Sequence, residues 1–159
     1  MASMQQIQDF LSQKRIAFVG VSRQPNDYSR TLFREFDARG YDPVPVNPAV
    51  AEVEGRRCYA HVQEIEPAPD AVLLLTSSTV TRQVVEDCIQ AGVKRVWMCR
   101  TAGKGAVNAA AVGACQAHGI AVIPGECPFM FLQGDYLQGG GWVHHLHGFV
   151  RKITGSYPN

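Results

Sequence analysis

No apolar run in the 159 residues approaches the roughly 18 needed to cross a bilayer, and no basic stretch leads into an apolar core with a cleavage site. A soluble, cytoplasmic protein with no membrane partner is therefore expected. Lysine and arginine number 15 against 14 aspartates and glutamates, so the basic stripe of a nucleic-acid binder is missing. One small anionic ligand remains compatible with the formal charge of +1. The five cysteines, Cys58, Cys88, Cys99, Cys115 and Cys127, are odd in number and contain no C-x-x-C pair. They read as reduced thiols and signal neither a disulfide framework nor a metal site. His144, His145 and His147 likewise lack a spaced carboxylate or cysteine that would complete a metal set.

What is present begins with Lys14-Arg15-Ile16-Ala17-Phe18-Val19-Gly20-Val21-Ser22-Arg23. Ala17, Phe18 and Val19 form the continuous apolar run of a strand covered on both faces, and Gly20 stops it before a helix starts. A strand, a glycine turn and a helix start can cradle a phosphate on backbone N–H groups. Of the dinucleotide fingerprint G-x-G-x-x-G only Gly20 is kept, because Ser22 and Pro25 occupy the other glycine positions. The acid that would hold a nicotinamide cofactor's ribose after the second strand is also absent, with Asn47 standing near its place. Gly20 could equally serve only to turn a strand into a loop, in which case Gly20→Val would leave ligand affinity unchanged. If the turn contacts phosphate, the same substitution should abolish binding in a folded protein.

Strands and helices alternate along the rest of the chain. A short amphipathic helix is expected over 5–13, with Ile7, Phe10 and Leu11 on one face. The next is capped by Asn26 or Asp27, carries Tyr28, Leu32 and Phe36 at helical spacing, and ends at Gly40. Strands are expected at 41–46, briefly after the turn at 54–59, and at 70–76, 93–99 and 120–123. Helices are expected at 79–91, with Val80 and Val84 on the apolar side, and at 106–118. This pattern predicts an α/β, Rossmann-like doubly wound fold with a mainly parallel sheet and helices on both faces. One domain spans 1–159, in which Gly139-Gly140-Gly141 hinges a final helix over 142–153. The apolar stripe of that helix would pack on the sheet or form a homodimer contact.

With strand order 3-2-1-4-5 and the last strand beyond, ligands would sit where the order reverses, outside the strands' carboxyl ends. That crevice would be faced by Gly20, Val21, Ser22 and Arg23 and by Thr76, Ser77, Ser78 and Thr79. The hydroxyls of the second loop could also be simple helix caps.

Four segments carry a family resemblance: IAFVGVSRQP at 16–25, PVNP at 45–48, VVEDCIQAGVKRVWMCRTAG at 84–103 and GIAVIPGECP at 119–128. Across about 15–130 the chain resembles the small stand-alone CoA-binding proteins, whose domain also forms the N-terminal half of the succinyl-CoA synthetase alpha subunit. The resemblance implies that CoA or an acyl-CoA is the ligand. It places the first loop on the CoA phosphates, Asn47 and Pro48 beside the nucleotide, and the Cys127-Pro128 dipeptide near the crevice. The synthetase subunit has prolines and apolar residues where Ser77, Ser78 and Thr79 stand here. It also holds its phosphohistidine in a second domain that this chain does not reach. Binding without ligase turnover is the implied role, with a nicotinamide-dependent oxidoreductase or a partner subunit of a synthetase-like complex as alternatives. Arg23, Arg100 and Lys104 are candidates for the ribose phosphate. Cys127 is the thiol expected to be captured by oxidised CoA, faster if Arg100 or Lys104 lowers its pKa.

Overall fold

The computed structural model describes residues 2–100, 103 and 105–132. Lys104, the glycine hinge at 139–141, the helix expected at 142–153 and the three histidines lie outside the described residues.

Helix α1 (Met4–Leu11) opens on a capping box: Ser3 Oγ accepts from the Gln6 N–H while the Gln6 side chain accepts from the Ser3 N–H. Strand β1 (Arg15–Val19) follows, then α2 (Tyr28–Ala38) capped by Asp27, and β2 (Asp42–Val46). A small antiparallel hairpin, β3 (Glu52–Val53) and β4 (Arg56–Arg57), leads through a 3-10 turn at Val62–Glu64 to β5 (Ala71–Leu74) and α3 (Ser78–Gln90). Strand β6 (Arg95–Met98), α4 (Ala109–Ala117), β7 (Ala121–Pro124) and a 3-10 turn at Pro128–Met130 complete the described chain.

Five strands form one parallel sheet in the order β2-β1-β5-β6-β7. Successive residues of β1 point to opposite faces, so both faces are apolar. Ile16 and Phe18 join Ile7 and Phe10 of α1 and Leu32, Phe33 and Phe36 of α2 on one side. Ala17 and Val19 join Val84, Val85 and Cys88 of α3 and Ala111 and Cys115 of α4 on the other.

One expectation fails. The strand expected after the turn at 54–59 does not join the sheet; its residues contribute the β3–β4 hairpin and a single parallel bridge between Tyr59 and Val46. The cause lies in β2. The Asp42 N–H bonds toward β1 at Lys14, so the alternate residues Pro43 and Pro45 face the outer edge without an N–H to donate. The bridge is built from what remains there, Tyr59 N–H to the Pro45 carbonyl and Asn47 N–H to the Tyr59 carbonyl. Glu54 ties the hairpin to α2 through Arg30 and Arg34, at 2.9 and 2.7 Å. Burial alone would raise the Glu54 carboxyl, but hydrogen bonds from both guanidiniums outweigh it and hold the group below its ordinary value.

Candidate functional site

The carboxyl ends of β1, β2 and β5 open on two hollows, one on each face of the sheet. The larger, about 460 Å³, runs between β2 and α3 and is lined by Val19, Gly20, Val46, Asn47, Pro48 and Thr76 together with Ala60, His61 and Val62. Its far wall is one stripe of α3, where Val80, Gln83, Val84 and Asp87 recur at helical spacing. The smaller, about 200 Å³, lies beside the start of α2, lined by Asp27, Tyr28, Ser29, Leu75, Cys99 and Gly105, with Thr76 common to both.

Gly20 stands at the crossing point with φ +94. A Cβ there would lie 3.0 Å from the backbone carbon and oxygen of Leu75 and 3.2 Å from Thr76 Cγ2. The residue is thus a glycine because the chain after β5 passes that closely, whatever binds in front of it, and a valine there is expected to destabilise the fold and not only to block a ligand. Val21 is fully buried, lines neither hollow, and gives its carbonyl to Asn47 Nδ2 at 2.9 Å, so the structure places it behind the cleft as packing. Asn47 Oδ1 accepts from the Ala49 N–H, also at 2.9 Å. Both polar ends of that side chain are thus engaged, one clamping the β1 loop and the other turning its own loop after β2.

Ser22 and Arg23 flank the cleft without lining it. Ser29 Oγ accepts the Ser22 N–H at 2.8 Å, and Arg30 donates to the carbonyls of Ser22 and Arg23. The amino end of α2 is filled by the chain's own carboxylate, since Asp27 accepts from the Ser29 N–H and hydroxyl. The amino end of α3 differs: Ser77 is its N-cap by position, yet its side chain makes no cap bond and instead meets Thr79 Oγ1 at 2.9 Å. Ser78 contributes its carbonyl to Asn108. The uncapped turn lies between two lining residues of the cleft, Thr76 and Val80.

Most arginines are committed to partners: Arg15 and Arg56 to Asp42, Arg30 and Arg34 to Glu54, Arg39 to Glu35 and Arg95 to Asp9. Arg23 and Arg100 are exposed and make no ion pair among the described residues. Arg23 follows β1 and Arg100 follows β6, so both stand at the sheet's carboxyl edge.

Cys127 sits away from the larger cleft, beyond β7, half-buried, with the Tyr28 hydroxyl 3.0 Å from its sulfur. Burial pushes its thiol up, against smaller opposing effects of the Tyr28 hydroxyl and nearby backbone, and no arginine lowers it. The accelerated capture of oxidised CoA that a lowered pKa would give is therefore not expected. Burial pushes Cys99 up to about 12 and Cys115 up to about 11, and raises Cys88 and Tyr28 as well. Each raised group favours the neutral form in the fold, so its stabilisation is complete below the ordinary thiol value of 9.0. It is lost as pH climbs from there toward the folded values. The melting temperature should fall steadily above about pH 9; a flat profile to pH 11 would show that these thiols are not held neutral by the fold.

Sequence reasoning missed His61, Gln83 and Asp87 as cleft residues, and Tyr28 as the partner of two thiols. For α3 a signal existed, because Gln83 and Asp87 interleave with Val80 and Val84 on one face. Val80, placed on the apolar side, is 48% exposed at the cleft mouth.

A family model described as a CoA binding domain matches residues 14–133. The chain belongs to the CoA binding domain family. An uncharacterised Bacillus subtilis protein, YneT, is 30% identical over 114 residues, 72% of this chain and 82% of its own length. The alpha subunit of an ADP-forming acetate–CoA ligase II from Pyrococcus furiosus is 30% identical over 97 residues, covering 60% of this chain but only 21% of that subunit. Among solved structures, a hypothetical protein from Pyrococcus horikoshii OT3 superposes with a TM-score of 0.74 at 29% identity, over 80% of this chain and 87% of that one. This CoA binding domain thus shares its Rossmann-like architecture with a chain of similar size, and spans about a fifth of the ligase subunit it matches. Among the described residues, no helix is long and apolar enough to cross a membrane, and no three metal-ligating side chains gather.

Proposed function

We propose that this domain binds coenzyme A or an acyl-CoA in the larger cleft and acts as a binding module without ligase turnover of its own. The observation that carries the reading is the cleft itself. It has apolar walls from Val19, Val46, Val62, Val80 and Val84, a volume of about 460 Å³ within the usual range for small-molecule sites, and the uncapped start of α3 at its mouth. These residues fit the ligand's chemistry. The α3 turn can take a phosphate on backbone N–H groups, whereas α2 cannot easily do so with Asp27 already in place. Arg23 and Arg100 are the candidate cations for the remaining phosphates. Gln83, Asp87 and His61 supply hydrogen-bonding groups along one wall, suited to the polar edge of a base. A nicotinamide dinucleotide is supported less well, because Asn47 offers no carboxylate to the ribose and spends its amide on the chain.

Thermal shift measurements separate the two ligands: CoA should raise the melting temperature more than NAD or NADPH at equal concentration, since only bound ligand stabilises by mass action. An equal or larger shift from NAD would reverse the assignment. Charge reversal locates the phosphates. Arg23→Glu or Arg100→Glu should each weaken CoA about tenfold or more if the guanidinium meets a phosphate. Whichever faces the ribose phosphate should matter little for dephospho-CoA. Unchanged CoA affinity in both variants would remove the arginines from the site.

A further inference from the structure

One tyrosine hydroxyl contacts two thiols at the edge of the smaller hollow. Tyr28 Oη is 3.0 Å from Cys127 Sγ and 3.6 Å from Cys99 Sγ, so the sulfurs are no farther apart than these contacts laid end to end. The backbone holds the pair together. Cys99 follows β6 and Cys127 follows β7, neighbouring strands registered Met98 to Pro124, and the ladder continues through Gly125 N–H to Met98 and Arg100 N–H to Glu126. The two differ in access: Cys127 is half-buried and Cys99 is buried at 2% exposure. Cys88 and Cys115 are wholly enclosed between α3 and α4, and Cys58 is occupied with the carbonyl of Asn47.

We infer that Cys127 and Cys99 form a two-thiol exchange site for small-molecule disulfides, with Cys127 the entry sulfur and Cys99 the resolving one. The Cys127 thiolate attacks one sulfur of the incoming disulfide, forming a mixed disulfide and releasing the first small thiol. The Cys99 thiolate then attacks Cys127 Sγ, closing a Cys99–Cys127 bond and releasing the second. Two protein thiols are oxidised, one disulfide is reduced to two thiols, and the two protons lost by the cysteines leave on the released thiols. Closing the bond brings the sulfurs to about 2.05 Å and removes both thiol hydrogens, so the contacts that Tyr28 Oη now makes with the two thiols are altered. Tyr28 and Cys99 both line the smaller hollow, and Tyr28 packs edge-on against Phe129 at 5.6 Å, so the exchange takes place at the wall of that hollow. Because burial raises both thiols, the exchange should be slow at neutral pH and accelerate as pH rises.

The inference does not rest on coenzyme binding, and oxidised glutathione serves as the probe. Incubated with it at pH 8.5, the full-length protein should end lighter by two hydrogens, with a single cross-linked peptide pair containing Cys99 and Cys127. Cys99→Ala should instead stop at a stable glutathione adduct on Cys127, and Cys127→Ala should give neither product. A stable adduct on Cys127 in the unmutated protein, a cross-link through any other cysteine, or thiols that react only after denaturation would each overturn it.

Discussion

Gly20→Val should destabilise the protein by about 2 to 6 kcal/mol, read as a lowered midpoint in urea unfolding. Two costs combine. A branched residue at φ +94 adopts a backbone conformation open mainly to glycine, at about 1 to 3 kcal/mol. Its Cβ also meets the Leu75 carbonyl group at 3.0 Å, where backbone rather than a movable side chain must give way, for about another 1 to 3 kcal/mol. Loss of ligand affinity in this variant would therefore say nothing about phosphate contact. An unfolding midpoint unchanged from the parent protein would show that the chain after β5 does not pass Gly20 as closely as described.

Val80→Asp should have the opposite profile, with the fold kept and the ligand lost. Val80 is 48% exposed, so replacing it removes little packing. It lies in the first turn of α3, where a carboxylate is favourable to the helix. The same carboxylate would stand on an apolar cleft wall beside the turn expected to receive a phosphate. CoA affinity should drop at least tenfold, about 1.4 kcal/mol, with the melting temperature of the free protein within a degree or two of the parent. Full affinity in this variant would place the ligand outside the cleft.

The layers of the fold were readable because β1 alternates cleanly, Ile16 and Phe18 to one side and Ala17 and Val19 to the other, and because helices and strands alternate around it. The failed strand was also written in the sequence, in Pro43 and Pro45, but only knowledge of which residues face outward turns two prolines into an edge without donors. The position of Gly20 was legible and its cause was not, since nothing in the local sequence reports how near Leu75 will pass. Likewise Asn47 reads as a ligand residue and does line the cleft, but its second task, the bond to the Val21 carbonyl, is not reported by the local sequence. Tyr28 read as one more apolar position of α2. Its meeting with Cys99 and Cys127 spans separations of 71 and 99 residues, which periodicity cannot detect.

Coenzyme recognition by the cleft is tested most directly by calorimetric titration of the full-length protein with CoA, alongside dephospho-CoA and NAD. CoA should bind one to one, dephospho-CoA more weakly, and NAD more weakly than CoA. Absence of CoA binding, or NAD binding as tightly as CoA, would contradict it.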